Sequence, residues 1–160
     1  MAKKKATPWN ANEGVVSNAK AALPALMAAY FARVRETLGN HPKLSELHNV
    51  RLLTKRLRYT LELFRPCYGP GLRERLAAVR RLQQSLGELN DCVTATGTVA
   101  RYSQKGSPVK ERFDQFLNQR SLAKVEEFRR EWTETFDAPG QERWWMDYLA
   151  RYARAPGRKR

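Results

Sequence analysis

Apolar side chains recur at intervals of three and four residues along nearly the whole chain, and no stretch alternates apolar with polar. Leu47, Val50, Leu53, Leu57, Leu61 and Phe64 give the clearest case. That spacing is the period of an α-helix, not of a strand. Helices with such stripes bury them by packing on one another. The breaks are short: Gly39-Asn40-His41-Pro42, Pro66 to Gly71, Ser107-Pro108 and Ala138-Pro139-Gly140. Short turns make antiparallel neighbours, so the expected fold class is all-α, an antiparallel bundle of about five to six helices.

The spacing predicts helices over about 17–38, 44–65, 72–86, 89–102, 108–136 and 141–153. Ser17 reads as an N-cap, and Pro24 calls for a kink or for a later start near residue 22. Pro66 stops the second helix. Gly87 reads as the left-handed residue closing the third, and Thr94, Thr96, Gly97 and Thr98 weaken the fourth. Ser107-Pro108 pairs a cap with proline at the first helical position. Residues 1–16 then form a polar arm, 17–153 a single domain and 154–160 a basic tail.

Charge narrows the function. Thirty Lys and Arg against 16 Asp and Glu give +14. Such an excess repels itself in the compact state and suits an anionic partner. With 42% apolar residues the chain is no disordered basic tail. There is no run of about 18 apolar residues, so no membrane span is expected. The lysines at 3–5 precede no apolar stretch, which argues against a secretory signal. Cys67 and Cys92 are too few for a disulfide framework, and a cytoplasmic address with reduced thiols fits best.

The second helix is the most informative. At 100° per residue from His48, its apolar arc spans roughly 140° to 260°. His48, Arg51, Lys55 and Arg58 fall in a separate band at roughly 280° to 360°. Glu62 extends this band by one turn, and Leu52, Tyr59 and Leu63 lie just past it. From charge alone a solvated, solubilising face is the commoner reading. Here, however, the cations have apolar flanks on both sides, which places the stripe along a groove between packed helices. Cations in a groove focus the field and meet an elongated anion along the helix axis.

Two blocks resemble a known family. Leu47-His48-Asn49-Val50-Arg51-Leu52-Leu53-Thr54-Lys55-Arg56-Leu57-Arg58-Tyr59-Thr60-Leu61-Glu62-Leu63-Phe64, followed by Leu82-Gln83-Gln84-Ser85-Leu86-Gly87-Glu88-Leu89-Asn90-Asp91, is similar to the CHAD family, the conserved histidine α-helical domains. The resemblance implies a helical fold that binds inorganic polyphosphate through basic helix faces without catalysis, with location at polyphosphate granules in some members. It maps His48, Arg51, Lys55 and Arg58 onto ligand-facing positions, with Arg80 or Arg81 as a further basic position. Family domains usually carry two histidine blocks. Only one is present here: Arg33 and Arg35 stand in 17–39 without a matching histidine. The chain therefore reads as a half-length member that pairs with itself, or as one whose other half has diverged.

The remaining features are plainer. Asp91 reads as a cap or as a carboxylate orienting an arginine. Arg73, Arg80 and Arg81 lie off the apolar face of their helix. Basic and acidic residues alternate along 110–131, a salt-bridged surface. Trp132, Trp144, Trp145 and Tyr148 read as core or dimer anchors, and with Arg143 nearby stacking on bases is the less favoured use. No zinc spacing, phosphate loop, nucleophile elbow or triphosphate-tunnel Glu-x-Glu-x-Lys strand is present. The expected protein is thus no enzyme, has no cofactor and no metal, and takes inorganic polyphosphate as partner. A nucleic-acid-binding helical protein is the main alternative and a phosphoanhydride hydrolase the weaker one. A homodimer is the expected assembly.

Overall fold

The computed structural model of the chain describes residues 9–39, 41–104 and 106–155. Six α-helices and one π-helical turn follow in order: α1 Val15–Gly39, α2 Leu44–Leu63, α3 Arg65–Tyr68, α4 Pro70–Tyr102, α5 Pro108–Glu131, the π turn Trp132–Phe136, and α6 Gln141–Arg151. No strand occurs among the described residues. The all-α bundle is as expected. α1 packs against α2 and α6, and α4 packs against α2 and α5.

Several helix boundaries differ from the sequence reading, and the fifth helix ends at Glu131, where the π turn Trp132–Phe136 takes over. α1 begins at Val15, so Ser17 lies inside it, and Pro24 is accommodated in its interior. An interior proline costs about 3 kcal/mol. Leu23, Met27, Phe31 and Val34 are fully buried along the same helix, and that burial outweighs the cost. Residues 72–102 do not break at Gly87 but form one helix of 33 residues from Pro70. An interior glycine costs only about 1 kcal/mol, and buried Leu86 and Leu89 carry the core stripe past it. Pro66 does end α2, yet it then sits in the first turn of the one-turn helix α3.

The ends of the domain are tied down. Asn18 Nδ2 donates to the carbonyls of Asn10, Glu13 and Gly14 at 2.9–3.1 Å, and Asn10 N donates to Asn18 Oδ1 at 2.8 Å. Trp9 packs on Phe64 with ring centroids 6.2 Å apart. Residues 9–14 are exposed and held to the start of α1 by these hydrogen bonds, and residues 1–8 lie outside the described part. At the other end Arg154 N donates to Cys67 O at 2.7 Å, which anchors the start of the basic tail. Residues 156–160 lie outside the described part.

The core settles the aromatic cluster. Trp132, Trp145 and Tyr148 are buried, and Trp132 packs with Tyr30, Phe31 and Phe136 at centroid distances of 5.2–5.7 Å. These three are core residues, and Trp144 is half-buried. Tyr30 and Thr54 share a buried hydroxyl hydrogen bond of 2.8 Å between α1 and α2. α1 is long and apolar enough by composition to cross a membrane, which the run-length criterion did not anticipate. Its most apolar side chains face α2 and α6 inside the bundle, as in a core helix. Cys67 and Cys92 are free and buried.

One part of the bundle has little cover. The α4–α5 hairpin runs past the body, and large apolar side chains stand out from it: Tyr102 is 80% exposed, Val109 76%, Phe116 54% and Phe113 43%.

Candidate functional site

α2 and α4 define a groove of about 490 Å³, lined by Arg51, Arg58, Arg80, Gln83, Gln84, Gly87, Glu88 and Asp91. The arc read from the sequence places the α2 wall. Leu47, Val50, Thr54, Leu57 and Leu61 are buried, and that burial turns Arg51 and Arg58 toward α4. The α4 wall follows from helix geometry. Arg80, Gln83, Gln84, Gly87 and Asp91 lie three, four, seven and eleven residues along, on one face of an unbroken helix.

The basic side chains differ in their partners. Arg51 has no acidic or hydrogen-bonding partner among the described residues, and its Nε is buried without an acceptor. Arg58 stacks on Tyr59, with Cζ 4.4 Å from the ring centroid, and Nη1 donates to Glu62 Oε1 at 3.0 Å. Its Nε is likewise buried and unpaired. Arg80 reaches from α4 and donates through Nη2 to the same Glu62 oxygen at 2.9 Å. Two guanidinium groups from opposite walls thus converge on one carboxylate oxygen. Lys55 lies on the outer edge of the band, outside the groove lining, with Nζ 5.7 Å from the Tyr59 ring centroid. Its ammonium has no acidic partner among the described residues.

Two further expected positions stand apart, as Lys55 does. His48 lies one turn beyond Arg51, and its Nδ1 is 3.0 Å from Asn90 Oδ1. It borders an adjoining apolar hollow of about 490 Å³ lined by Leu44, Leu47, Leu86, Leu89 and Val93. The imidazole therefore marks the end of the groove. Arg81 is not in the groove. One residue on from Arg80, it turns by about 100° toward α5, where Nε donates to Glu131 at 3.1 Å. Of the pair Arg80 and Arg81, only Arg80 lines the groove.

The acids of the lining are partly neutralised. Glu88 accepts Lys124 Nζ at 2.7 Å from α5. That bond, with a second from Gln84, holds its carboxyl below the usual carboxylate range. Asp91 has no partner among the described residues. It neither caps a helix start nor orients an arginine, because α4 does not begin there. Arg33 pairs with Glu36, and Arg35 with Asp137 and Glu142, so α1 holds no second set of free cations. Gln83, with Oε1 buried and unpaired, and Gln84 are lining residues that the sequence reading did not assign. A break at Gly87 had severed their register with Asn90 and Asp91.

No group of His, Cys, Asp and Glu among the described residues is arranged to hold a metal ion. Chemically, the groove offers fixed N–H donors and positive charge along a path of several helical turns. That suits the oxygens of a repeating anion.

The comparisons with known proteins agree with the geometry. The family model of the CHAD domain matches residues 2–100, more than half of the chain, from α1 through nearly all of α4. No curated protein and no solved structure matches the chain significantly. Both walls of the groove and its single histidine block fall inside the matched stretch, while α5, the π turn and α6 lie beyond it. The chain belongs to the CHAD-domain family.

Proposed function

We propose that the α2–α4 groove binds inorganic polyphosphate and performs no chemistry on it. The observation that carries this reading is the pair of buried, unpaired Nε donors on Arg51 and Arg58, which line the groove together with Arg80. A buried donor without an acceptor costs about 1–3 kcal/mol. A chain of phosphate oxygens supplies acceptors to both donors and charge to Arg51 and Lys55. The run of cations along α2 suits a linear polymer better than a single compact anion, since successive turns rise about 5.4 Å. The binding is expected in the cytoplasm, with polyphosphate granules as a site of accumulation.

Long-chain polyphosphate competed against duplex DNA at matched salt tests the reading. Displacement of DNA by a small excess of polyphosphate supports it. DNA held against such an excess favours the nucleic-acid alternative. Phosphate release from polyphosphate with added divalent metal, rising in proportion to protein, would overturn the non-catalytic part.

A further inference from the structure

Arg75, like Arg51, combines a buried, unpaired Nε with the lack of an acidic partner among the described residues. It projects from α4 about 140° around the helix from Arg80, five residues away, and so lies on a different face from the groove. Its guanidinium carbon lies 3.3 Å from the Trp144 ring centroid and 4.7 Å from that of Tyr148. Trp144 and Tyr148 are themselves stacked, 5.1 Å apart and 17° from parallel. Such stacking fixes the plane of the guanidinium and leaves its N–H fork edgewise. Nε is buried without an acceptor, and no acidic partner exists among the described residues.

The side chain borders a cleft of about 360 Å³, walled also by Ala78, Thr135, Phe136, Gln141, Trp144 and Trp145. No acid lines it. Of the four acids adjacent in sequence to its lining residues, Asp137 and Glu142 are engaged by Arg35, and Glu74 and Glu134 stand outside the lining. Gln141 is the first residue of α6, whose positive end borders the same cleft. Aromatic walls with a few convergent polar groups and one oriented cation are the composition of a small-ligand site.

We infer that this α4–α6 cleft is a second anion site, independent of the polyphosphate groove, which takes a small oxyanion carried on a flat apolar body. The Arg75 fork holds two oxygens of a phosphate or carboxylate, and the aromatic wall receives the ring.

Calorimetric titration of the full chain with phenyl phosphate, benzoate and inorganic phosphate tests this. The expected result is one site for phenyl phosphate or benzoate, about tenfold or more tighter than inorganic phosphate. The tighter of the two ring compounds identifies the head group as phosphate or carboxylate. Arg75→Gln should weaken that binding by about tenfold or more. The Arg51→Ala, Arg80→Ala double variant, which touches only the α2–α4 groove, should leave it unchanged. Ala78→Met, which fills the cleft and leaves Arg75 in place, should abolish binding and carries the test if Arg75→Gln fails to fold. The inference is overturned if neither ring compound binds by about 10 mM, or if binding survives Ala78→Met. Loss in the groove double variant would equally overturn it, by placing the probe in the groove.

Discussion

Glu62 and Arg80 meet across the α2–α4 groove: Arg80 Nη2 lies 2.9 Å from Glu62 Oε1, and the same oxygen accepts Arg58 Nη1 at 3.0 Å. Under the proposed function this carboxylate occupies donors that a phosphate oxygen would otherwise take. It draws the two guanidinium groups together and also offsets one unit of the charge a polyanion would meet.

Glu62→Gln keeps an acceptor oxygen there and removes the negative charge. Polyphosphate affinity at low salt should rise about three- to tenfold, the size of one unit charge a few ångströms away in partly exposed surroundings. Folding stability should change by less than about 1 kcal/mol, since all three side chains keep contact with water. Titration of both proteins with polyphosphate of one length decides it. Weaker binding by Glu62→Gln would make Glu62 a strut that positions the arginines rather than a competitor.

Gly87 separates space in the groove from stability. Its φ is not positive, and a Cβ there meets nothing within 4 Å. Gly87→Ala should stabilise α4 by up to about 1 kcal/mol and leave binding nearly intact. Gly87→Phe should keep the fold and obstruct the groove, with binding lowered by about tenfold or more. Thermal melts beside titrations check both. Equal binding by Gly87→Phe would mean that the polymer does not lie between the two helices.

The α2 wall was legible in the sequence because one helix, uninterrupted from Leu44 to Leu63, holds all four basic positions in a single register. The α4 wall was not. Glycine in a helical pattern reads equally as a terminus or as an interior cost, and only the packing of Leu86 and Leu89 decides between them. Once the helix is continuous, Arg80, Gln84, Gly87 and Asp91 fall on one face, and Arg81 turns away to Glu131. Pro24 is the same lesson in α1, where local propensity yields to burial. The Arg75–Trp144 contact joins residues 69 positions apart, and sequence spacing holds no trace of it.

Alkaline pH should weaken the fold through two phenols. Burial pushes Tyr30 and Tyr68 well above the usual tyrosine range. Their contribution is fully present below the unfolded value of about 10, and it is lost as pH rises beyond that, where only the unfolded chain ionises. Melting temperature should therefore fall above about pH 10, and less steeply in Tyr30→Phe. Tyr30→Phe should itself cost about 0.5–1.5 kcal/mol at neutral pH by removing the bond to Thr54, whose hydroxyl still donates to Val50 O. An identical alkaline slope in Tyr30→Phe would remove that phenol from the account.

Assembly is expected through the hairpin, not through the tryptophans. Val109, Phe113 and Phe116 are exposed on one face of α5 at helical spacing. The apolar hollow beside His48 shares Val93 with the base of the same hairpin. Two copies related by a two-fold axis would cover both surfaces at once. Light scattering at micromolar protein should give a dimer mass, and Phe113→Asp with Phe116→Asp should give a monomer with unchanged helicity. A parent monomer, with or without long polyphosphate, would leave these surfaces without that role.

The most direct measurement of the central claim is a calorimetric titration of long-chain polyphosphate into the parent and into Arg51→Ala, Arg80→Ala, repeated across a range of salt. The two arginines line the groove from different helices, so one double variant probes both walls. The account predicts parent binding that weakens steeply with salt as counterions are released. It also predicts a loss of well over tenfold in the variant, a shallower salt slope and unchanged circular dichroism. Equal affinity and equal salt slope in the two proteins would contradict it.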